Sequence, residues 1–151
     1  MIPANIDRMD DRLEAIFTAM KTADALSAYV KSRSYVPAPA MQDAADLRKG
    51  ALMLISNGEG HYSKRPGMIA KNGLHNFIVM GHLKVDEHKQ DRQAVEDAEL
   101  DMIENIKTFV RDGIPGMSLT FDDAQNSLQQ EHPYGWIYIQ LTAGDPSHSI
   151  S

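Results

Sequence analysis

Apolar residues near the start of the chain recur at helical spacing. Ile6, Met9, Leu13, Ile16 and Met20 lie 3, 4, 3 and 4 positions apart, and Phe17 widens the stripe, which predicts an amphipathic helix entered from an Asn5 N-cap. Thr22 either caps a second short helix carrying Leu26, Tyr29 and Val30 or lies inside a continuing first helix. YVPAPAMQDAADLRKG then breaks the period. Pro37 and Pro39 lack amide donors and hold the residues before them out of helical geometry, so this stretch reads as an irregular connector with room for a helical turn around 42–48.

The pattern next changes to that of strands. ALMLIS is a short continuous apolar run ending at Asn57-Gly58, as expected of a buried strand followed by a turn. From Phe77 to Val85 the odd positions Phe77, Val79, Leu83 and Val85 are apolar, while His82 and Lys84 make the other face polar. The two runs suit an antiparallel pair, with Gly81 marking either a bulge or a close helix approach. Between them runs GEGHYSKRPGMIAKNG, from Gly58 to Gly73, a glycine-rich and locally basic loop.

A second helix is written in Val95, Ala98, Met102, Ile106 and Phe109, with Ile103 and Val110 beside them. Its acids, Asp91, Glu96, Asp97, Glu99 and Asp101, fall early and read as a solvated face; Lys107 and Arg111 fall late, as the helix dipole favours, and Gly113 suits the C-cap. After the GIPGM turn come SLTFDD and YGWIYIQLT, both strand-like, the second alternating Trp136 and Tyr138 with Ile137, Ile139 and Leu141. AGDPSHSIS is a polar end expected to be mobile. The order α-β-β-α-β-β predicts a two-layer α+β domain over 1–143 with a flexible tail over 144–151. Two main helices would cover one face of a four-stranded, mainly antiparallel sheet. Ile78 and Met80, with either Trp136 and Tyr138 or Ile137 and Ile139, would then lie on the other face without an internal partner, as at a subunit interface.

Composition narrows the function. The 151 residues match one ordinary domain, and no apolar run approaches the ~18 residues of a membrane span. The first residues lack the basic start and uninterrupted apolar core of a signal peptide, and there is no cysteine for a disulfide or thiolate metal site, so a cytoplasmic setting is expected. A net charge of −6 argues against a broad nucleic-acid footprint, leaving only a local basic patch.

No motif carries chemistry. GEGHYS falls one residue short of the dinucleotide fingerprint, and IVM stands where a ribose-binding acid is expected; SKRPG lacks the order and the following helix of a P-loop. His61, His75, His82, His88, His132 and His148 show no zinc-ligand spacing and read as surface or interface histidines. No serine lies in G-x-S-x-G. Neither an enzyme nor a cofactor is expected. Tyr62, Lys64, Arg65 and Lys71 remain, an aromatic and three cations on one loop. They suit either a solvated hairpin tip or a docking finger for another copy's acidic surface, such as the second helix. With Trp136 and Tyr138 they are the interface candidates. The alternative is a small ligand- or nucleic-acid-binding domain using the 58–73 loop as an anion clamp.

The succession of an N-terminal amphipathic helix, GALMLISNGEG, a strand ending GHLKV, the helix QAVEDAELDMIENIKTFV and the final YGWIYIQLT resembles the tail terminator proteins of long-tailed bacteriophages, over about residues 5–143. The resemblance implies an α+β subunit that assembles into a hexameric ring, caps the tail tube, ends its growth and presents the surface joining the head. Its partners would be other copies, the tail tube protein and a head-completion protein. Its place would be the virion tail, and the host cytoplasm during assembly. No catalytic or binding residue is carried over from the family.

Overall fold

A computed structural model of the chain describes residues 8–33, 44–60, 62, 64–65, 68–69, 73–86, 93–129 and 131–144. In order the elements are helix α1 (Met9–Thr22), a 3-10 turn at Asp24–Leu26, strand β1 (Val30–Arg33), helix α2 (Ala44–Lys49), strands β2 (Ala51–Gly60), β3 (Lys64–Arg65), β4 (Met68–Ile69) and β5 (Leu74–Lys84), helix α3 (Ala94–Asp112), and strands β6 (Ser118–Asn126) and β7 (Tyr134–Gly144). The fold is α+β. Asn5 and Ile6, the expected start of the first helix, and 145–151, most of the expected tail, lie outside the described residues.

Two details of the expected layout are corrected. The main sheet has five strands rather than four, in the order β1-β2-β5-β7-β6, and it is mixed: β1 pairs parallel with β2, Val30 opposite Ala51, while the other pairings are antiparallel. The chain is turned at Asp24–Leu26 and Leu26 enters the core, after which the Val30 amide donates to the Gly50 carbonyl at 2.9 Å. The second helix is thus a single 3-10 turn that carries Leu26 but neither Tyr29 nor Val30, and the first helix does not continue. A four-residue edge strand is too short for its alternation to show.

The second correction concerns the glycine-rich loop. Asn57-Gly58 is no turn: β2 runs on to Gly60 opposite Leu74, and a register shift between Ser56 and Glu59 takes up one extra residue, with Gly58 at φ 86. Only glycine adopts that backbone at no steric cost, so the strand is bent and not ended. Beyond it, Lys64–Arg65 and Met68–Ile69 form a separate two-stranded ribbon. The helical turn for which the connector had room around 42–48 is helix α2.

The register assigns the faces. Leu52, Leu54, Phe77, Val79, Ile137, Ile139 and Leu141 form the core with Ile16 and Met20 of α1 and Met102, Ile103, Ile106 and Phe109 of α3. Gly81 belongs to this face and marks a close approach, since a Cβ there would stand 2.4 Å from Met102 Sδ and 2.7 Å from Ile137 Cγ1. Tyr138 pairs with Met80 and Trp136 with His82, so Trp136 and Tyr138 lie on the second face with Ile78. That face is not bare throughout: Ala51 and Met53, which share it, are buried.

Candidate functional site

The 58–73 segment is fastened at its root by buried polar groups. The bulge in β2 sets Glu59 opposite His75 on the helix side of the sheet, where Arg12 of α1 reaches down and donates from Nη2 to Glu59 Oε2. The side chains of this ion pair are 1% and 5% exposed. Tyr62 donates its hydroxyl to Glu59 Oε1 at 2.6 Å. Burial raises the Glu59 pKa, but the Tyr62 hydroxyl, the Arg12 charge and the Gly73 amide outweigh it and leave the carboxyl below its usual range. The hydrogen bond to Glu59, with the negative charge beside it, in turn raises the Tyr62 phenol.

His75 completes the cluster. Its ring is buried against Phe77 with centroids 4.0 Å apart, and its Nε2 lies 2.7 Å from Ser56 Oγ. Burial, helped by the Arg12 charge, lowers its pKa to about 4, so the ring is neutral at pH 7. A serine hydroxyl against an imidazole is the start of a nucleophile and base pair, but no third member joins it among the described residues. Both Glu59 oxygens are engaged by Arg12 and Tyr62, and His75 Nδ1 has no hydrogen-bond partner to orient the ring. The cluster braces the loop root against α1.

A second polar centre lies near the other end of β5. Glu99 of α3 is fully buried, correcting its assignment to the solvated acids. Its Oε2 accepts from Ser127 Oγ and from the Trp136 amide at 2.8 Å; its Oε1 has no partner. Gly135 makes the approach possible, since a Cβ there would stand 2.7 Å from Glu99 Oε2. The turn after β6 is tied to the same helix, with the Glu96 amide donating to Gln129 Oε1 at 3.2 Å. Along the other side of α3 runs a groove of about 500 Å³, between Ala94, Asp97, Ala98 and Asp101 on one wall and Arg48 and Lys49 on the other.

The interface candidates that the structure describes lie on two parts of the fold, the second sheet face and the loop between β2 and β5. Trp136 and Tyr138 sit half-buried on the second sheet face beside His82 and Met80. Tyr62 is 39% exposed at the loop root. Lys64 and Arg65 lie on β3, and Lys71 falls outside the described residues. His82, level with Trp136, is eight residues along β5 from Leu74 at the loop root, roughly 26 Å. Of the histidines expected at the surface or at an interface, His75 is buried on the helix side and His82 is buried on the second sheet face; His132 is exposed, and His61, His88 and His148 lie outside the described residues. Among the described residues, no group of three or more His, Asp or Glu could hold a metal ion, and no helix is long and apolar enough to cross a membrane.

Arg12, Glu59 and Glu99 are site residues that the sequence does not single out, although Arg12 and Glu99 leave a trace. Arg12 adjoins Leu13 within the apolar stripe of its helix, and Glu99 is four residues from Val95 and three from Met102, on the core-facing side. A charge on a core stripe announces a buried partner. No family model matches the chain, and no curated protein matches it.

Proposed function

We propose that this chain is a structural subunit of a phage or prophage tail, a tail terminator that closes into a ring on the end of the tail tube. As the ring it ends tube growth and presents the surface that joins the head. The observation that carries the reading is the second sheet face, where Ile55, Ile78, Met80, Trp136 and Tyr138 are each only half-buried in a single chain. An apolar sheet face left partly wet is the kind of surface that a neighbouring subunit dries. The braced 58–73 segment supports the same reading, because a root held by a buried ion pair presents the Lys64–Arg65 ribbon from a fixed base toward the acids of a neighbour's α3, among them the exposed Asp97, Asp101 and Glu104. The partners are other copies, the tail tube protein and a head-completion protein.

Trp136 is the sole tryptophan, so its emission reports on the sheet face directly. With rising concentration, light scattering should show growth toward a ring of about six subunits, and Trp136 emission should shift to the blue in step. A rise in mass with unchanged emission would place the interface elsewhere, and a single-chain mass at every concentration would remove the ring.

A further inference from the structure

Two Asn-Gly pairs flank the basic segment, Asn57-Gly58 where it leaves β2 and Asn72-Gly73 where it returns to β5. Asparagine is chemically labile before glycine, because no side chain shields the amide nitrogen that follows. The fold treats the two glycines in opposite ways.

Gly58 is exposed at φ 86, and a Cβ placed on it would meet nothing within 4 Å. The ladder passes from Ser56 opposite Phe77 to Glu59 opposite His75, so Asn57 and Gly58 share the bulge, where pairing is disrupted. Asn57 is exposed as well, and its side-chain amide makes no hydrogen bond among the described residues, which leaves it free to turn onto the next nitrogen. Gly73, in contrast, is buried against the Gly60 carbonyl. Its amide points at the Glu59 carboxylate that Arg12 and Tyr62 hold in place. A nitrogen whose proton is held by a carboxylate is a poor nucleophile.

We propose that Asn57 is a site of spontaneous deamidation in the folded chain. The Gly58 amide gives its proton to hydroxide, its nitrogen attacks Asn57 Cγ, and ammonia leaves as a succinimide ring closes. Water then opens the ring. Cleavage of the new bond from nitrogen to Cγ gives aspartate; cleavage of the bond from that nitrogen to the Asn57 carbonyl carbon gives isoaspartate. One water is consumed and one ammonia released, with no change of oxidation state. Either product places a negative charge two residues from Glu59, and isoaspartate also lengthens β2 by one carbon between Ser56 and Glu59. The register that sets Glu59 opposite His75 and under Arg12 is thereby loosened, so the loop root ages at one defined bond.

The full chain would be incubated at mildly alkaline pH, folded and in urea, and both sites followed by peptide mass mapping with isoaspartate-specific methylation. In the folded chain Asn57 should react about tenfold or more ahead of Asn72, the worth of a hydrogen bond to a charged group, whereas in urea the two should react at similar rates. Arg12→Leu combined with Glu59→Leu removes the carboxylate that faces Gly73 and should bring Asn72 up toward the rate of Asn57. An intact Asn57 in the folded chain, or an Asn72 that keeps pace with it, would overturn the site. A lead of Asn57 that persists in urea would assign the difference to local sequence and overturn the role of the fold. Aged protein should unfold at lower urea than an equally aged Asn57→Gln variant, and equal midpoints would overturn the loosening of the loop root.

Discussion

Glu59 and Glu99 are both withdrawn from water, near opposite ends of β5, and the fold serves them in different ways. Glu59 meets a cation from another element, Arg12, together with the Tyr62 hydroxyl. Glu99 meets only neutral donors, the Ser127 hydroxyl and the Trp136 amide, and keeps one oxygen without a partner. The first arrangement ties α1 to the loop root through charge, so it is sensitive to the loss of either partner and to pH. The second ties α3 to the turn after β6 through shape, since it depends on Gly135 having no side chain.

Removing one charge should separate the two most sharply. Arg12→Leu leaves Glu59 buried without its cation and should cost about 4 kcal/mol, whereas adding Glu59→Leu should recover most of the loss. Urea unfolding of the single and double variants decides; equal losses would mean that packing, not charge, joins α1 to the loop root.

Acid should act on the loop root next. His75 titrates near 6.5 in the unfolded chain and about 4 in the fold, so between those values the unfolded chain binds a proton that the native chain refuses. Stability from this group is therefore complete above about pH 6.5 and falls by about 3 kcal/mol as the pH drops through 4. Glu59 is also lowered, and its contribution disappears as the pH falls through its native pKa. A His75→Gln variant should lose the slope between pH 6.5 and 4 in unfolding free energies measured across that range. A slope that persists would assign the acid sensitivity to other groups.

The smallest effect is expected at the other carboxylate. Glu99→Gln keeps an oxygen for Ser127 and Trp136, and should cost about 1 kcal/mol in urea unfolding. Glu59→Gln strands the Arg12 charge and should cost clearly more. Similar costs at the two positions would erase the contrast between a charge brace and a neutral one.

Much of the layout was legible because periodicity is local. The stripe from Val95 to Phe109 became α3 with Gly113 at its end, and the alternation after Phe77 became β5 paired with ALMLIS. What stayed hidden depended on distant partners. Val30–Arg33 is a strand only because β2 lies beside it, and Gly58 continues a strand only because Leu74 faces Gly60. The candidate surface was legible in part: Trp136 and Tyr138 do share the second face, but no local rule showed that Tyr62 would turn to Glu59 or that Glu99 would leave the solvated acids.

By itself the sequence determined the amphipathic faces, the absence of disulfides and the acidic balance, all of which follow from residue type and spacing. The tertiary structure decided that Ile137 and Ile139, and not Trp136 and Tyr138, meet the helices. It also decided that Arg12 finds Glu59 across 47 residues. Either face of β7 is apolar enough to be buried, and a buried charge accepts whichever counter-charge the fold delivers, so only the packing of α1 and α3 on the sheet could choose.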